Sequence, residues 1–169
     1  NGFTSTFMEQ SGLHLHLDPE MYERLLAMLL EENLLVAQCS RDEIDEQGNR
    51  MPDVCMPPES LAFWESSRFM RELLLHRGDC SFCTKLVAAS LLREERFPEG
   101  ELNEDFHLLV RLLPEVPVIA ILPEQDYHVF YRYGSNTRTK KEEEFPQVYT
   151  DIVKNADRVM EIVEARYPE

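Results

Sequence analysis

The sequence predicts an α+β fold: a mostly helical single domain with a small antiparallel sheet, about four or five helices and about four strands. Three observations predict it. Several separate segments repeat apolar residues at helical spacing. Two short runs, residues 34–39 and 118–122, are apolar and partly β-branched, as is typical of strands. The length of 169 residues suits one domain, which we place at residues 13–169 after a loosely ordered N-terminal segment at 1–12.

The first predicted elements are a helix and a hairpin. Asp18-Pro19 combines an N-cap with a proline at the first helical position, which predicts a helix over residues 19–32. Residues 46–49 have the composition of a tight turn. We therefore expect residues 34–44 and 50–56 to pair as a hairpin.

The middle of the chain predicts three helices. Apolar residues recur near helical spacing over residues 59–76, 80–95 and 103–112. Gly78 stands where a helix-ending glycine is expected, and Asn103 can cap the third helix.

The last third changes to a strand pattern and then returns to a helix. Residues 118–122 and 127–133 predict two antiparallel strands. A polar loop at 134–141 follows them, and residues 145–166 have the periodicity of an amphipathic helix.

The chain is strongly acidic, with 32 Asp and Glu against 17 Lys and Arg and a net charge of −15. A protein that binds the phosphate backbone of a nucleic acid needs a basic face, so we expect no such partner. Docking on an anionic membrane is disfavoured for the same reason. The charge favours a basic protein partner, although an acidic surface also serves solubility alone.

The expected location is the cytoplasm. No apolar run approaches the ~18 residues that span a bilayer, and residues 1–10 lack the basic and apolar regions of a signal peptide. The four cysteines are too few for a disulfide scaffold, so we expect reduced thiols.

Short motifs stand out between residues 47 and 112. Gly48 precedes Met51-Pro52, a Phe63-Trp64 pair lies in a predicted helix, and the run Arg-Glu-Glu-Arg-Phe-Pro-Glu-Gly occupies residues 93–100. This set resembles a small bacterial domain family of unknown function, whose helix-ending signature is two arginines, an aromatic residue and Glu-Gly. The resemblance implies a bacterial, cytoplasmic protein and carries no activity with it.

His76, Cys80 and Cys83 form the pattern H-x3-C-x2-C. If residues 80–95 are helical, the two thiols lie one turn apart and can share a zinc ion. A fourth ligand is needed, and no second pair of ligands has a short spacing of its own. The alternatives are a buried stripe of core thiols, which is the commoner arrangement, and a redox pair. We expect no cofactor here, with zinc as the alternative. The candidates for a fourth ligand are Cys39, Cys55, His107 and His128.

Two weaker metal patterns occur nearer the N-terminus. His14 and His16 would share one face of a strand, but two ligands close to a chain end make a weak site. Residues 42–46 resemble the start of a calcium loop, but the last ligand position falls on Val54, which cannot ligate.

Arg93, Arg96 and Glu99 surround Phe97-Pro98 at the end of a predicted helix. Guanidinium groups bind carboxylates or phosphates through two parallel hydrogen bonds, so these residues are candidates for binding a small anion or substrate. The alternative is that the two cations favour a helix C-terminus and pair with nearby acids.

Asp126 and His128 are the catalytic candidates, on or near one predicted strand with Tyr131 and Arg132. A histidine beside a carboxylate can act as a general base. No nucleophile elbow, P-loop, zinc-protease or dinucleotide motif accompanies them. The pattern therefore leans away from an enzyme.

The charge and the missing catalytic motif together favour a protein-binding module for a basic macromolecular partner, for example a toxin or a nucleic-acid enzyme. One alternative is an enzyme or small-anion binder that uses Arg93 and Arg96 with His128. That alternative requires Arg96 and His128 to converge on one cleft. The other is the zinc-stabilised module described above. The sequence predicts no oligomeric state.

Overall fold

The computed structural model describes residues 16–45, 47–130 and 147–168. The loosely ordered segment expected at 1–12, the polar loop expected at 134–141, and His14, Tyr131 and Arg132 lie outside these residues.

Strands and helices are interspersed along the chain. Their order is β1 (His16–Leu17), α1 (Met21–Glu31), β2 (Val36–Ile44), β3 (Ala62–Glu65), α2 (Ser66–Leu74), β4 (Lys85–Val87), α3 (Glu104–Leu112), β5 (Val118–Phe130) and α4 (Gln147–Arg166). Short 3-10 helices cover Phe82–Thr84, Ala89–Leu92 and Leu113–Glu115. The single α+β domain is confirmed, with four α-helices among the described residues.

The sheet is mixed rather than wholly antiparallel. Its path is β1-β5-β2-β4, and β3 pairs with the first half of β5. The central pair β2–β5 is parallel, whereas β1, β3 and β4 pair antiparallel with their neighbours. The chain between β2 and β5 is long enough to cross over through α2 and α3 and return in the same direction, which a parallel pair requires.

One long strand, β5, replaces the two antiparallel strands predicted from residues 118–133. It stays beside β2 along its length because the register shifts twice, where Gln38 faces Ile121 but Ser40 faces Gln125. This irregularity absorbs Pro123, and the Ser40 hydroxyl donates to the Leu122 carbonyl at 2.9 Å. The predicted break in the strand is therefore a bulge.

The helix predicted over residues 80–95 is also wrong, because that segment forms β4 between two 3-10 helices. Leu86 packs against the core on one side of the sheet and Val87 against the core on the other. Such alternation is typical of a strand. The segment pairs with the edge of β2, where Leu86 lies opposite Ala37. In residues 80–95, pairing with β2 therefore determines the structure, although the spacing of apolar residues favours a helix.

Two further predictions are corrected in part. The predicted helix 59–76 begins with β3 and becomes helical only at Ser66. The predicted hairpin has its first arm as β2, but its second arm makes only the isolated bridge between Ile44 and Arg50. Pro52 has no backbone N–H for a continuing ladder.

Helices cover both faces of the sheet. Met21 and Leu25 of α1 pack against Ala37, Ala120 and neighbouring residues on one face. The other face contacts α2, α3 and α4 through a second core. Among the described residues, none of the helices has the length and apolar character needed to cross a membrane. The second core consists of Val36, Phe69, Met70, Leu73, Leu109, Val110, Leu113, Val116, Ile119 and Ile121.

Candidate functional site

A group of buried charged and polar side chains lies at the edge of the sheet where β4 begins. We call it the Asp79 cluster and define it as Arg41, Asp79, Ser81, Thr84 and Lys85. Asp79 and Lys85 each expose only 5% of their surface, and Thr84 none. Buried charge costs free energy unless it is paired and hydrogen-bonded, so the contacts of this cluster determine its role.

The chain reaches this place through a tight exit from α2. His76 has a left-handed backbone with φ of 55°. The Gly78 N–H then donates to the Glu72 carbonyl at 2.9 Å. A Cβ on Gly78 would lie 3.0 Å from the Leu73 backbone nitrogen, so a side chain there would displace the turn. The glycine predicted to end this helix is therefore required by a close approach of two backbone segments.

Asp79 organises the turn that follows. Its carboxylate accepts hydrogen bonds from the Ser81 N–H at 3.0 Å and from the Thr84 hydroxyl at 2.8 Å. Arg41 of β2 lies 3.6 Å from the same carboxylate. The Ser81 hydroxyl in turn accepts from the Cys83 N–H at 3.2 Å and caps the 3-10 helix. These bonds hold the loop rigidly against the sheet.

Lys85 anchors the other side of the loop. Its ammonium donates to the backbone carbonyls of Asp79 and Ser81, both at 2.7 Å. Burial lowers the pKa of Lys85, and the charge of Asp79 opposes that change. Burial raises the pKa of Asp79, but Lys85, Arg41 and the hydrogen bonds from Ser81 and Thr84 outweigh it, and the pKa is lowered overall.

A second carboxylate, Asp105, lies in the first turn of α3 and points at the same loop. It accepts a hydrogen bond from the Phe82 N–H at 3.0 Å. Consecutive amides, those of Ser81 and Phe82, therefore hold Asp79 and Asp105. Burial raises the pKa of Asp105 above its usual range, and the Phe82 hydrogen bond only partly offsets it. A carboxylate with a raised pKa is a stronger base than a solvated one.

A small cavity of about 30 Å³ opens beside the cluster, between β2 and the loop after α2. Two buried polar atoms of its wall, Gln38 Oε1 and Arg41 Nε, have no hydrogen-bond partner among the described residues. Gln38 is only 5% exposed. An acceptor and a donor left unsatisfied in one cavity match a bound hydroxyl group or water, which can serve both. Trp64, Cys55 and Met56 form part of the wall.

Cys39, Cys55 and Cys80 are poor candidates for nucleophiles or metal ligands. Burial raises the pKa of Cys39 to about 12 and that of Cys55 to about 11. Burial also raises the pKa of Cys80, so these thiols stay protonated at neutral pH. The described part of the chain holds no group of three Cys, His, Asp or Glu side chains that could bind a metal ion.

The H-x3-C-x2-C residues are consequently not gathered into a metal site. The helix assumed for their spacing is absent, because Cys80 precedes a 3-10 helix and Cys83 lies within it. His76 lies at the end of α2, in the left-handed conformation described above. Cys83 is exposed, whereas Cys80 is half-buried.

Arg93, Arg96 and Glu99 all lie on the surface. They belong to a turn with internal hydrogen bonds from the Arg96 side chain to backbone carbonyls. The Arg96 guanidinium donates to the backbone carbonyls of Leu92 at 2.5 Å and Glu95 at 2.7 Å. These bonds use part of the donor set that an anion would need. Arg93 and Glu99 are exposed side chains of the same turn.

A neighbouring arginine secures this turn from α3. Arg111 donates to the Glu95 carboxylate at 2.7 Å and to the Arg96 carbonyl at 2.6 Å. The hydrogen bonds described for the Arg96 guanidinium all go to carbonyls of residues 92–95, so none of them directs this group toward β5.

His128 has a carboxylate partner, but the partner is Asp42 rather than Asp126. The His128 Nδ1 atom lies 2.7 Å from Asp42 Oδ1, and the two residues face each other in the β2–β5 register. Asp126 instead pairs with Arg24 of α1, at 2.8 Å and 3.1 Å. Burial raises the pKa of Asp126 despite this arginine. The structure therefore separates the two catalytic candidates, because neighbours two apart on β5 select different partners.

The sequence pattern did not single out Arg41, Asp79, Lys85 or Asp105. Asp79 precedes the segment predicted as a helix over residues 80–95, which it could have capped, and Asp105 was given no role. The one available signal was Lys85, a lone cation directly before the apolar pair Leu86-Val87. Arg41 and Asp79 are 38 residues apart in the sequence, so no local motif could predict their contact.

No protein-family model matches the chain, and no curated protein matches it. Among solved structures, the chain is similar in fold to Staphylococcus aureus TarS 1-349, determined in complex with UDP-GlcNAc. The TM-score is 0.64 at 16% sequence identity, and the likeness covers 92% of this chain. The chain spans 42% of the TarS structure, which is less than half of its length.

Proposed function

We propose that this chain forms part of a glycosyl-transfer site that uses a nucleotide-activated sugar. The observation that carries the proposal is the fold likeness, over 92% of the chain, to a protein holding UDP-GlcNAc. UDP-GlcNAc is an activated glycosyl donor, so a protein that uses it chemically needs an acceptor hydroxyl and a base. The cavity beside the Asp79 cluster supplies unsatisfied polar atoms that suit a hydroxyl. Asp105 is the candidate base; it does not line that cavity, but it accepts a hydrogen bond from the same loop at Phe82.

The proposed reaction is a single displacement. The acceptor oxygen forms a bond to the anomeric carbon, and the bond from that carbon to the diphosphate breaks, so the electron pair leaves with UDP. The acceptor proton moves to Asp105, whose pKa burial raises. A carboxylate of raised pKa accepts a proton more readily than a solvated one, which suits the role of general base.

The Asp79 cluster has a positioning role in this proposal. Its salt bridge and hydrogen bonds hold the loop whose Phe82 amide binds Asp105. The unsatisfied Gln38 oxygen and Arg41 nitrogen can accept from and donate to one acceptor hydroxyl. A rigid loop beside a hydroxyl-sized cavity is what alignment of a nucleophile requires.

The test is release of UDP from UDP-GlcNAc, with MgCl₂ present because diphosphates bind as magnesium complexes. It is run on the chain and on any longer natural polypeptide that contains it, first with water and then with sugar alcohols as acceptors. Asp105→Asn should lower the rate by about 10²–10⁴-fold. Asp157→Asn, an exposed acid of α4, is the matched control and should leave the rate unchanged. Equal rates for the two variants, or no UDP release by any form, would contradict the proposal.

A second candidate is the protein-binding module for a basic partner, expected from the net charge of −15. One surface favours it: Tyr22, Leu26 and Leu30 are 50%, 49% and 73% exposed and form an apolar stripe along α1. Glu23 and Glu31 lie on the same helix beside the stripe. In this version the protein acts in the cytoplasm, away from membranes and nucleic acids, and needs no cofactor.

This second candidate is tested with a lysine- and leucine-rich amphipathic peptide, observed by NMR. Resonances of α1 should shift, and Leu26→Ser with Leu30→Ser should abolish the shifts while leaving the folded spectrum intact. Unchanged α1 resonances at saturating peptide would reject it.

A further inference from the structure

A wide groove lies between α2 and the end of α4, away from the Asp79 cluster. Its volume is about 840 Å³. The floor is apolar: Met70 is almost fully buried, and Tyr167 of the chain after α4 donates from its hydroxyl to Ser66 at 3.3 Å. Leu74 and Leu75 form a lip and are 38% and 50% exposed. Apolar side chains left exposed around a concave surface are typical of interaction sites.

The rim of this groove is basic although the chain is acidic. Three arginines line it, Arg68, Arg71 and Arg166, against one acid, Glu72. Both carboxylate oxygens of Glu72 accept from Arg77, at 2.7 and 2.9 Å, so this acid is neutralised by a cation other than the three. A local excess of positive charge within a chain of net charge −15 is a specific feature of this surface.

Two of these arginines, Arg68 and Arg71, have charge available for a partner, whereas the third does not. Arg166 pairs with Glu115 at 2.9 Å. Arg68 lies over the Trp64 ring at 4.2 Å, a contact that orients the guanidinium without neutralising it. Within residues 16–45, 47–130 and 147–168, neither Arg68 nor Arg71 has a carboxylate within salt-bridge distance. An oriented guanidinium is prepared to bind a carboxylate through two hydrogen bonds.

We infer that the groove between α2 and α4 docks an acidic amphipathic helix of a protein partner. Leucines or aromatic residues of one helix face would enter between Leu74, Leu75 and Tyr167. Glutamates or aspartates on the flanks of that face would pair with Arg68 and Arg71. A helix laid into an apolar groove is a common form of peptide recognition, and charge complementarity selects the acidic kind. This inference is independent of the proposed glycosyl transfer, since the groove contains none of its residues.

The experiment is a fluorescence-anisotropy titration of the whole chain with a labelled helical peptide, leucines at i, i+3, i+4 and i+7 and glutamates elsewhere. The wild-type chain should bind it, and the affinity should fall at least tenfold in Arg71→Glu and fall as salt is raised. The matched control, Arg158→Glu on an exposed part of α4, should retain wild-type affinity. Arg71→Gln is the milder second variant, and circular dichroism confirms that each variant is folded.

Several outcomes would overturn the inference. A scrambled peptide of the same composition that binds equally well would do so, as would equal affinity in Arg71→Glu and Arg158→Glu. Self-association that Arg71→Glu abolishes, measured by light scattering without peptide, would make the occupant a second copy. Binding to vesicles with anionic lipid, without binding to the peptide, would make it a membrane surface.

Discussion

The Asp79 cluster and the arginine turn at residues 92–99 are both rich in charge, yet their charges do different things. In the turn, the Arg96 guanidinium donates to carbonyls of its own segment, on the protein surface. In the cluster, charges from β2 and from the loop after α2 meet in the interior, and two polar atoms of the adjacent cavity have no partner in the part of the chain that the structure describes. The number of charged residues in a segment therefore says less about a site than the destination of their hydrogen bonds.

The largest expected difference between the two regions is in stability. Lys85→Met removes a buried cation and leaves Asp79 without its main compensating charge, which should cost about 3–5 kcal/mol of unfolding free energy. Urea denaturation measures it. Lys154→Met removes a lysine that is 62% exposed and bonded to Glu101, and should cost less than about 1 kcal/mol. Similar losses in the two variants would show that the cluster is no more critical than a surface pair.

Removing the charge of Asp105 should raise the stability of the fold, whereas removing the charge of Lys85 should lower it. The pKa of Asp105 is raised in the folded state by burial, so the folded state binds a proton more tightly than the unfolded state and loses stability as pH rises past that pKa. Asp105→Asn should therefore stabilise the fold at pH 7 by about 1 kcal/mol. The gain should shrink as the pH falls through the range in which wild-type Asp105 takes up its proton. A destabilised Asn variant at pH 7 would place Asp105 among the structural charges with Asp79.

The smallest effects are expected in the arginine turn. Arg96→Ala loses hydrogen bonds to exposed carbonyls and should cost roughly 0.5–1.5 kcal/mol. Arg93→Ala should stay within about 0.5 kcal/mol of the wild type. Thermal unfolding ranks the two variants.

A phosphate titration followed by NMR sharpens the same comparison. If the arginine side chains of the turn bind no anion because their donors already bond to carbonyls of the turn, the amide resonances of residues 93–99 should not move at millimolar phosphate. Saturable shifts there that vanish in Arg93→Ala would restore the turn as an anion site.

The elements that the sequence predicted well are those whose burial follows local periodicity. Helices α1, α3 and α4 match their predicted ranges to within two residues, because each presents one apolar face to a hydrophobic core. The segment 80–95 was misassigned because Leu86 and Val87, both partly buried, pack against the cores on opposite faces of the sheet. An apolar run of that length is compatible with either a helix or a strand. The direction of β5 beside β2 had no local signal.

Only parts of the candidate site could be predicted from the sequence. His128 was expected to have a carboxylate neighbour, and it has one, but the cross-strand register supplies Asp42 in place of Asp126. Asp79 and Asp105 are separated by 26 residues, and the Ser81 and Phe82 amides bring them to one loop. No spacing rule connects residues that meet through a loop between a helix and an edge strand.

Composition and periodicity were sufficient for the net charge, the α+β class and three of the helices, because these properties depend on residue type and on neighbours within two turns. Pairing decided the rest. The parallel β2–β5 ladder, the edge position of β4, the buried Asp79–Lys85 interaction and the basic groove in an acidic chain all depend on contacts between distant segments. Their free energies come from burial and from hydrogen bonds that exist only once those segments have met.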